Sequence, residues 1–107
     1  MNAFAALADP TRQHIVEMLA TRELAAGDIA RRFDMTAPAV SQHLKLLRDA
    51  GLVNVRREAQ RRIYALNPQG LAELDAWLAR FRRFWSGRLD KLEHELNTVE
   101  PHRGKLQ

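Results

Sequence analysis

The chain has 107 residues, of which 46% are hydrophobic and 28% are charged. This length is near the commonest domain size and predicts one domain. Because there is no cysteine, disulfides, thiolate metal ligands and thiol redox chemistry are excluded. No apolar run approaches the roughly 18 residues of a membrane span, and the first residues lack the basic start and apolar stretch of a signal peptide. A cytoplasmic location without a membrane partner is therefore expected.

The net charge of +4 is concentrated in the middle of the chain. Residues 31–62 contain eight basic and three acidic side chains, a net charge of +5, whereas the remainder carries −1. A concentrated basic patch is typical of a surface that binds nucleic acid. A solvated basic surface explains the charge alone equally well.

Three helices are predicted in the first third of the chain. Phe4 and Leu7 indicate a short first helix. Asp9-Pro10 opens the second, because aspartate accepts hydrogen bonds as an N-cap and proline suits the first helical position. The third is expected from about Ala26 to Arg32, where Ile29 lies on the side facing the core.

A fourth helix is predicted from about Ala37 to Ala50. Thr36 is its expected N-cap, and Gly51 ends it, since glycine adopts the left-handed conformation without a steric penalty. Its buried stripe is expected to consist of Val40, Leu44 and Leu47.

After Gly51 the spacing of the apolar residues changes, and the next segment is predicted to form a β-hairpin. Two short β-rich runs flank a charged segment whose turn is predicted at Ala59-Gln60. Asn67-Pro68 repeats the cap-and-proline signal and opens a long last helix. An apolar stripe with one irregular step follows this helix, and Ser86 and Gly87 at that step are expected to bend or interrupt it. The stripe comprises Leu71, Leu74, Leu78, Phe81, Trp85, Leu89, Leu92, Leu96 and Val99.

The order of four helices, a basic hairpin and a long helix predicts a mainly α (α+β) winged helix-turn-helix. The domain is expected to span residues 1–100, and residues 101–107 are expected to form a disordered tail. In this architecture the fourth helix enters the major groove of DNA and the hairpin reaches along the backbone.

The exposed face of the fourth helix carries residues suited to DNA. Ser41 and Gln42 can read base edges, whereas Lys45 and Arg48 suit phosphates. An ordinary polar helix surface is the alternative. His43 lies at the edge of the buried stripe, where a packing role and a DNA contact are equally compatible with the sequence.

Four arginines flank the hairpin turn, and strand alternation sends some of them to each face. We expect about half to reach the same phosphates, although arginines also protect an exposed strand edge. The complete predicted DNA-contacting set is Thr36, Ala37, Pro38, Ser41, Gln42, His43, Lys45, Arg48, Arg56, Arg57, Gln60, Arg61 and Arg62.

Three stretches of the chain resemble the ArsR/SmtB family of repressors, especially its metal-independent, autorepressor-like branch. They are Ala8-Asp9-Pro10-Thr11-Arg12, the run from Ala39 to Val53, and Arg62-Ile63-Tyr64-Ala65-Leu66-Asn67. The resemblance covers about residues 3–100. It implies a transcriptional repressor that is a homodimer built from the first and last helices and bound to a near-palindromic DNA operator.

The apolar stripe of the last helix also predicts a dimer, because it is longer and wider than a domain of this size can cover. The expected interface residues are Phe4, Leu7, Leu78, Phe81, Trp85, Leu89, Leu92 and Leu96. In many relatives the hairpin turn contains glycine and the position of Ala37 is polar or basic, so this chain departs from both patterns.

No metal site, cofactor or catalytic site is expected. Where the family's metal sensors carry a pair of cysteines, this chain has Ala25 and Gly27. The zinc pattern of the last helix also fails, because Asp90-Lys91-Leu92 lacks its histidine. Two alternatives stay open: a repressor that senses metal through His14, His94 or His102, and a winged helix used only for protein–protein contact.

Overall fold

The computed structural model describes the backbone of residues 2–99 and the side chains of residues 2–96. The elements in chain order are α1 (Ala3–Leu7), α2 (Pro10–Leu19), β1 (Leu24–Ala25), α3 (Ala26–Arg31), α4 (Ala37–Asp49), β2 (Val53–Glu58), β3 (Arg61–Leu66), α5 (Pro68–Ala79) and α6 (Arg82–Val99). This arrangement confirms the predicted mainly helical winged helix-turn-helix.

The chain divides into two compact units, with the boundary after Leu74. A single domain over residues 1–100 stays a prediction, and the predicted tail, residues 101–107, lies outside the described residues. Within the described part of the chain, no helix combines the length and apolar character needed to cross a membrane.

The predicted helix caps are confirmed. The Asp9 carboxylate accepts a hydrogen bond of 3.0 Å from the backbone N–H of Arg12, and this bond is the main reason that the pKa of Asp9 is lowered. Thr36 Oγ1 accepts from the N–H of Ala39 at 3.2 Å. Gly51 follows α4 with a φ of 78°, the left-handed conformation that glycine adopts most readily.

The core of the first unit is built mainly from the buried sides of its helices. Ile15 of α2 and Ile29 of α3 are completely buried. Val40, Leu44 and Leu47 of α4 are at most 1% exposed, as the helical spacing predicted. Half-buried Leu71 and Leu74 of α5 pack against this cluster. The buried stripe of α4 therefore fixes which side of that helix faces solvent.

The sheet contains one strand that the sequence pattern did not predict. The order is β1-β3-β2, and both pairings are antiparallel. Strand β1 has two residues, Leu24 and Ala25, which pair with Tyr64 and Ile63. A strand of this length is too short to show the alternation that identifies a strand in a sequence.

Of the bend or interruption expected at Ser86 and Gly87, the interruption was wrong. Helix α6 continues through both residues, because an internal glycine costs only about 1 kcal/mol and does not by itself end a helix. The break lies earlier, between Ala79 and Arg82. There the N–H groups of Arg80 and Phe81 donate to carbonyls three residues back, at 3.2 and 3.0 Å, in a tightened final turn.

Helix α5 begins in close contact with the end of α4. The Asn67 side chain donates to the carbonyl of Gly51 at 2.9 Å, and the Asn67 N–H donates to Leu52 O at 2.9 Å. Gly70 lies so near that a Cβ at this position would be 1.8 Å from Gly51 O. Where α5 approaches the end of α4, position 70 therefore requires glycine.

Gly70→Ala should lower the free energy of unfolding by about 3 kcal/mol, since the backbone must shift to admit the methyl group. The matched control is Gly27→Ala, whose nearest neighbour is a flexible arginine tip at 3.9 Å. Urea titration followed by circular dichroism measures both variants. Equal stability of the two variants would contradict the close approach.

Candidate nucleic-acid interface

The solvent-facing side of α4 carries five exposed polar residues: Ser41, Gln42, Lys45, Arg48 and Asp49. They lie opposite the buried stripe of the same helix. Lys45 donates a 2.9 Å hydrogen bond to Asp49, and this bond is the main cause of the lowered pKa of Asp49. Arg48 has no ion-pair partner within the described residues.

His43 belongs to the contact between α4 and α2. Its ring Nδ1 is 3.1 Å from a guanidinium nitrogen of Arg12 and 3.9 Å from the Asp9 carboxylate. Its side chain is only 18% exposed. Arg12 also donates to Ala6 O at 2.6 Å, so one guanidinium joins α1 and α4. This geometry supports the packing role that the sequence left open.

The hairpin of β2 and β3, residues 53–66, is called the wing. Its register pairs Arg57 with Arg62 and Val55 with Tyr64. Side chains that are directly opposite, or two residues apart on one strand, share a face of the sheet. These four residues therefore define one face, the inner face of the wing. Arg56, Glu58, Arg61 and Ile63 define the other, outer face.

The inner face adjoins the exposed side of α4. A cavity of about 220 Å³ lies between them, lined by Ser41, Gln42, Lys45, Arg48, Arg62 and Tyr64. A neighbouring cavity is lined by Arg48, Val55, Arg56, Arg57 and Arg62. Arg48, Arg56, Arg57 and Arg62 thus border one region. Among the described residues, Arg48, Arg57 and Arg62 form no ion pair with a carboxylate, although the charge of Arg48 contributes to the lowered pKa of Asp49.

The arginines of the outer face are paired with carboxylates. Arg56 lies 2.8 Å from Glu23 and 3.3 Å from Glu58, and the hydrogen bond to Glu23 is the largest cause of the raised pKa of Arg56. Arg61 lies 3.2 Å from Asp28 in α3, which also pairs with Arg31. The expected division of the four arginines into two sets is therefore present in the structure.

The other predicted contact residues are exposed at the two ends of this surface. Thr36, Ala37 and Pro38 lie at the start of α4, and Gln60 lies at the wing turn. The turn is strained, because Ala59 has a φ of 57°, a conformation that side chains with a Cβ rarely adopt. Tyr64 was not predicted as a lining residue, and Glu23 and Asp28 were not predicted as partners of the outer arginines. The alternation of the strand was the available signal for Tyr64.

Within the described residues, no group of three or more histidine, cysteine, aspartate or glutamate side chains is arranged to hold a metal ion. The ring of His14, one of the histidines considered for metal sensing, packs edge-on against Phe33 with centroids 5.2 Å apart. His102, another of them, lies outside the described residues.

The second unit exposes many large apolar side chains. The exposed fraction is 42% for Phe81, 64% for Phe84, 57% for Leu89, 52% for Leu92 and 54% for Leu96. Leu78 and Trp85 are half-buried. Of the two predicted interface residues in α1, Phe4 is 49% exposed and Leu7 packs partly against the core.

The fold and the basic groove define a winged helix-turn-helix protein that binds DNA. A family model described as the arsR family of bacterial regulatory proteins matches residues 9–55. The transcriptional regulator Rv2034 of Mycobacterium tuberculosis is 53% identical over 79 residues, 74% of each chain. The transcriptional repressor SdpR of Bacillus subtilis is 36% identical over 80 residues, 75% of this chain and 89% of SdpR.

Comparison with solved structures also identifies transcriptional regulators. A crystal structure of a possible transcriptional regulator for arsenical resistance matches with a TM-score of 0.72 and 38% identity, covering 89% of this chain and 96% of that one. The chain belongs to the ArsR family of bacterial regulatory proteins. It is a DNA-binding transcriptional regulator and not an enzyme.

Proposed function

We propose that this regulator is a homodimeric repressor that blocks a promoter by binding a near-palindromic operator in the cytoplasm, without a cofactor. The observation that carries this proposal is the groove shared by α4 and the inner face of the wing. Its walls combine the polar groups of Ser41 and Gln42 with the guanidinium groups of Arg48, Arg57 and Arg62, which form no ion pair within the described part of the chain.

The dimensions of α4 fit the major groove, because a helix with its side chains is about 10–12 Å across and the groove is about 12 Å wide. In this orientation Gln42 is placed to form paired hydrogen bonds with adenine. Thr36, Ala37 and Pro38 would approach the same groove from the start of the helix.

The inner face of the wing suits the phosphate backbone. Arg57 and Arg62 are directly opposite each other on neighbouring strands, an arrangement that destabilises a sheet when the charges are alike. An anion between or beside the two guanidinium groups removes that repulsion. Arg48 of α4 lines both cavities beside Arg62, so phosphate binding would engage helix and wing together.

We further propose that a second copy of the chain covers the apolar stripe of α5 and α6. The exposure of Phe81, Leu89, Leu92 and Leu96 supports this interface, because monomeric proteins rarely leave a continuous apolar surface of this kind exposed. Phe4, Leu7, Leu78 and Trp85 are its other proposed members. Two recognition helices about 34 Å apart would then reach successive major grooves on one side of DNA.

Gln42→Ala should weaken binding to the operator by about 1–3 kcal/mol and binding to random DNA much less, since base contacts carry specificity. Arg62→Ala should weaken both, because phosphate contacts are independent of sequence. Gln69→Ala, an exposed glutamine of α5, is the control. Fluorescence anisotropy with the promoter of the protein's own locus and with a scrambled duplex measures all three. Equal losses of specific and random binding for Gln42→Ala would refute the proposed orientation of α4.

Leu92→Glu should convert the dimer to a monomer, because an unpaired buried carboxylate typically costs about 3–5 kcal/mol. Operator affinity should fall with it, although no residue of the groove has changed. Light scattering and operator titration follow both properties, and Lys91→Gln, which makes the same one-unit change in net charge on the same helix, is the control. A wild-type protein that is monomeric at micromolar concentration, or a Leu92→Glu variant that dimerises normally, would place the interface elsewhere.

A further inference from the structure

The two faces of the wing differ sharply in net charge. Among the residues whose side chains the structure describes, no carboxylate forms an ion pair with Arg57 or Arg62 of the inner face. On the outer face, Arg56 pairs with Glu23 and Glu58, and Arg61 pairs with Asp28. Adjacent arginines in sequence therefore have opposite electrostatic environments, and charge composition alone does not distinguish them.

Two of the three outer-face carboxylates, Glu23 and Asp28, come from one short segment of the chain. Glu23 directly precedes β1, and β1 pairs with β3 of the wing through Leu24 and Ala25. Asp28 follows in the first turn of α3. The antiparallel pairing of β1 with β3 thus brings both carboxylates to the outer arginines. Asp28 is one-third exposed and Arg61 is 62% exposed, so the pair is accessible to solvent and to salt.

We propose that Asp28 is a positioning residue that withholds Arg61 from DNA, so that Arg57 and Arg62, and not Arg61, contact phosphates. This inference rests on the proposed DNA-binding function. Affinity for DNA depends on salt because each protein cation that neutralises a phosphate releases a condensed counterion. A guanidinium already neutralised by a carboxylate makes no such contribution. The carboxylates also repel phosphates from the outer face, which restricts the register of the wing on the duplex.

The test is the slope of log affinity against log salt concentration, measured with a duplex of scrambled sequence. Arg62→Gln should reduce the magnitude of the slope by about 0.9 for each wing that contacts DNA. Arg61→Gln, its neighbour in sequence, should leave the slope unchanged. Asp28→Asn should increase both the slope and the affinity for the scrambled duplex, because it frees an arginine. Loss of a merely structural ion pair would lower stability without steepening the slope.

A double variant distinguishes the contributions of Arg31 and Arg61, the two arginines that pair with Asp28, to the change in slope. If Arg61 is the cation that Asp28→Asn frees, then Asp28→Asn/Arg61→Gln should return the slope to the wild-type value. A slope that stays steep in the double variant would assign the effect to Arg31 and overturn the proposal. Urea titration of each variant verifies that the fold is retained.

The possible failures are distinguishable. If Arg61→Gln reduces the slope as much as Arg62→Gln does, both faces contact DNA and the positioning role of Asp28 is refuted, while the proposed function stands. If neither Arg62→Gln nor Arg57→Gln alters the slope, the inner face does not bind phosphates and the proposed DNA interface itself is wrong.

Discussion

The burial of one side of α4 is the constraint on which the rest of the site depends. Val40, Leu44 and Leu47 are all but inaccessible to solvent, and truncating such residues typically costs about 2–5 kcal/mol each. Rotating the helix would expose this stripe. Burial of the core therefore determines that Ser41 and Gln42 face outward, and the same residues that stabilise the fold orient the groups proposed to read DNA.

The wing depends on a second constraint, the register of its strands. Strand β3 lies between β1 and β2, so its position is fixed from both sides. A slip of one residue would exchange the two faces, so that Arg61 would lie on the face that adjoins α4. The sharp turn at Ala59, with its left-handed φ, is retained within this doubly constrained sheet. Charge and register together decide which arginines are available to a polyanion.

The sequence predicted most elements because their signals are local. The caps at Asp9 and Thr36 and the buried stripe of α4 each follow from a few neighbouring residues. The strand at Leu24 is too short to have a period, and the break after Ala79 has no proline or glycine to mark it. The pairing of Asp28 with Arg61 joins residues 33 positions apart, so only the folded sheet reveals it. The spacing placed His43 at the edge of the stripe but did not identify Arg12 as its partner.

The absence of cysteine from the chain allows a direct test of the central claim, that the exposed side of α4 lies against DNA. Ser41→Cys introduces a single, nearly isosteric thiol on that side, and Ala72→Cys introduces one at an exposed position of α5. The measurement is the rate of maleimide alkylation of each variant with and without promoter DNA. Our account predicts that DNA protects the thiol at position 41 and leaves the thiol at position 72 reactive. Unchanged alkylation at position 41 in a complex shown to be fully bound would contradict it.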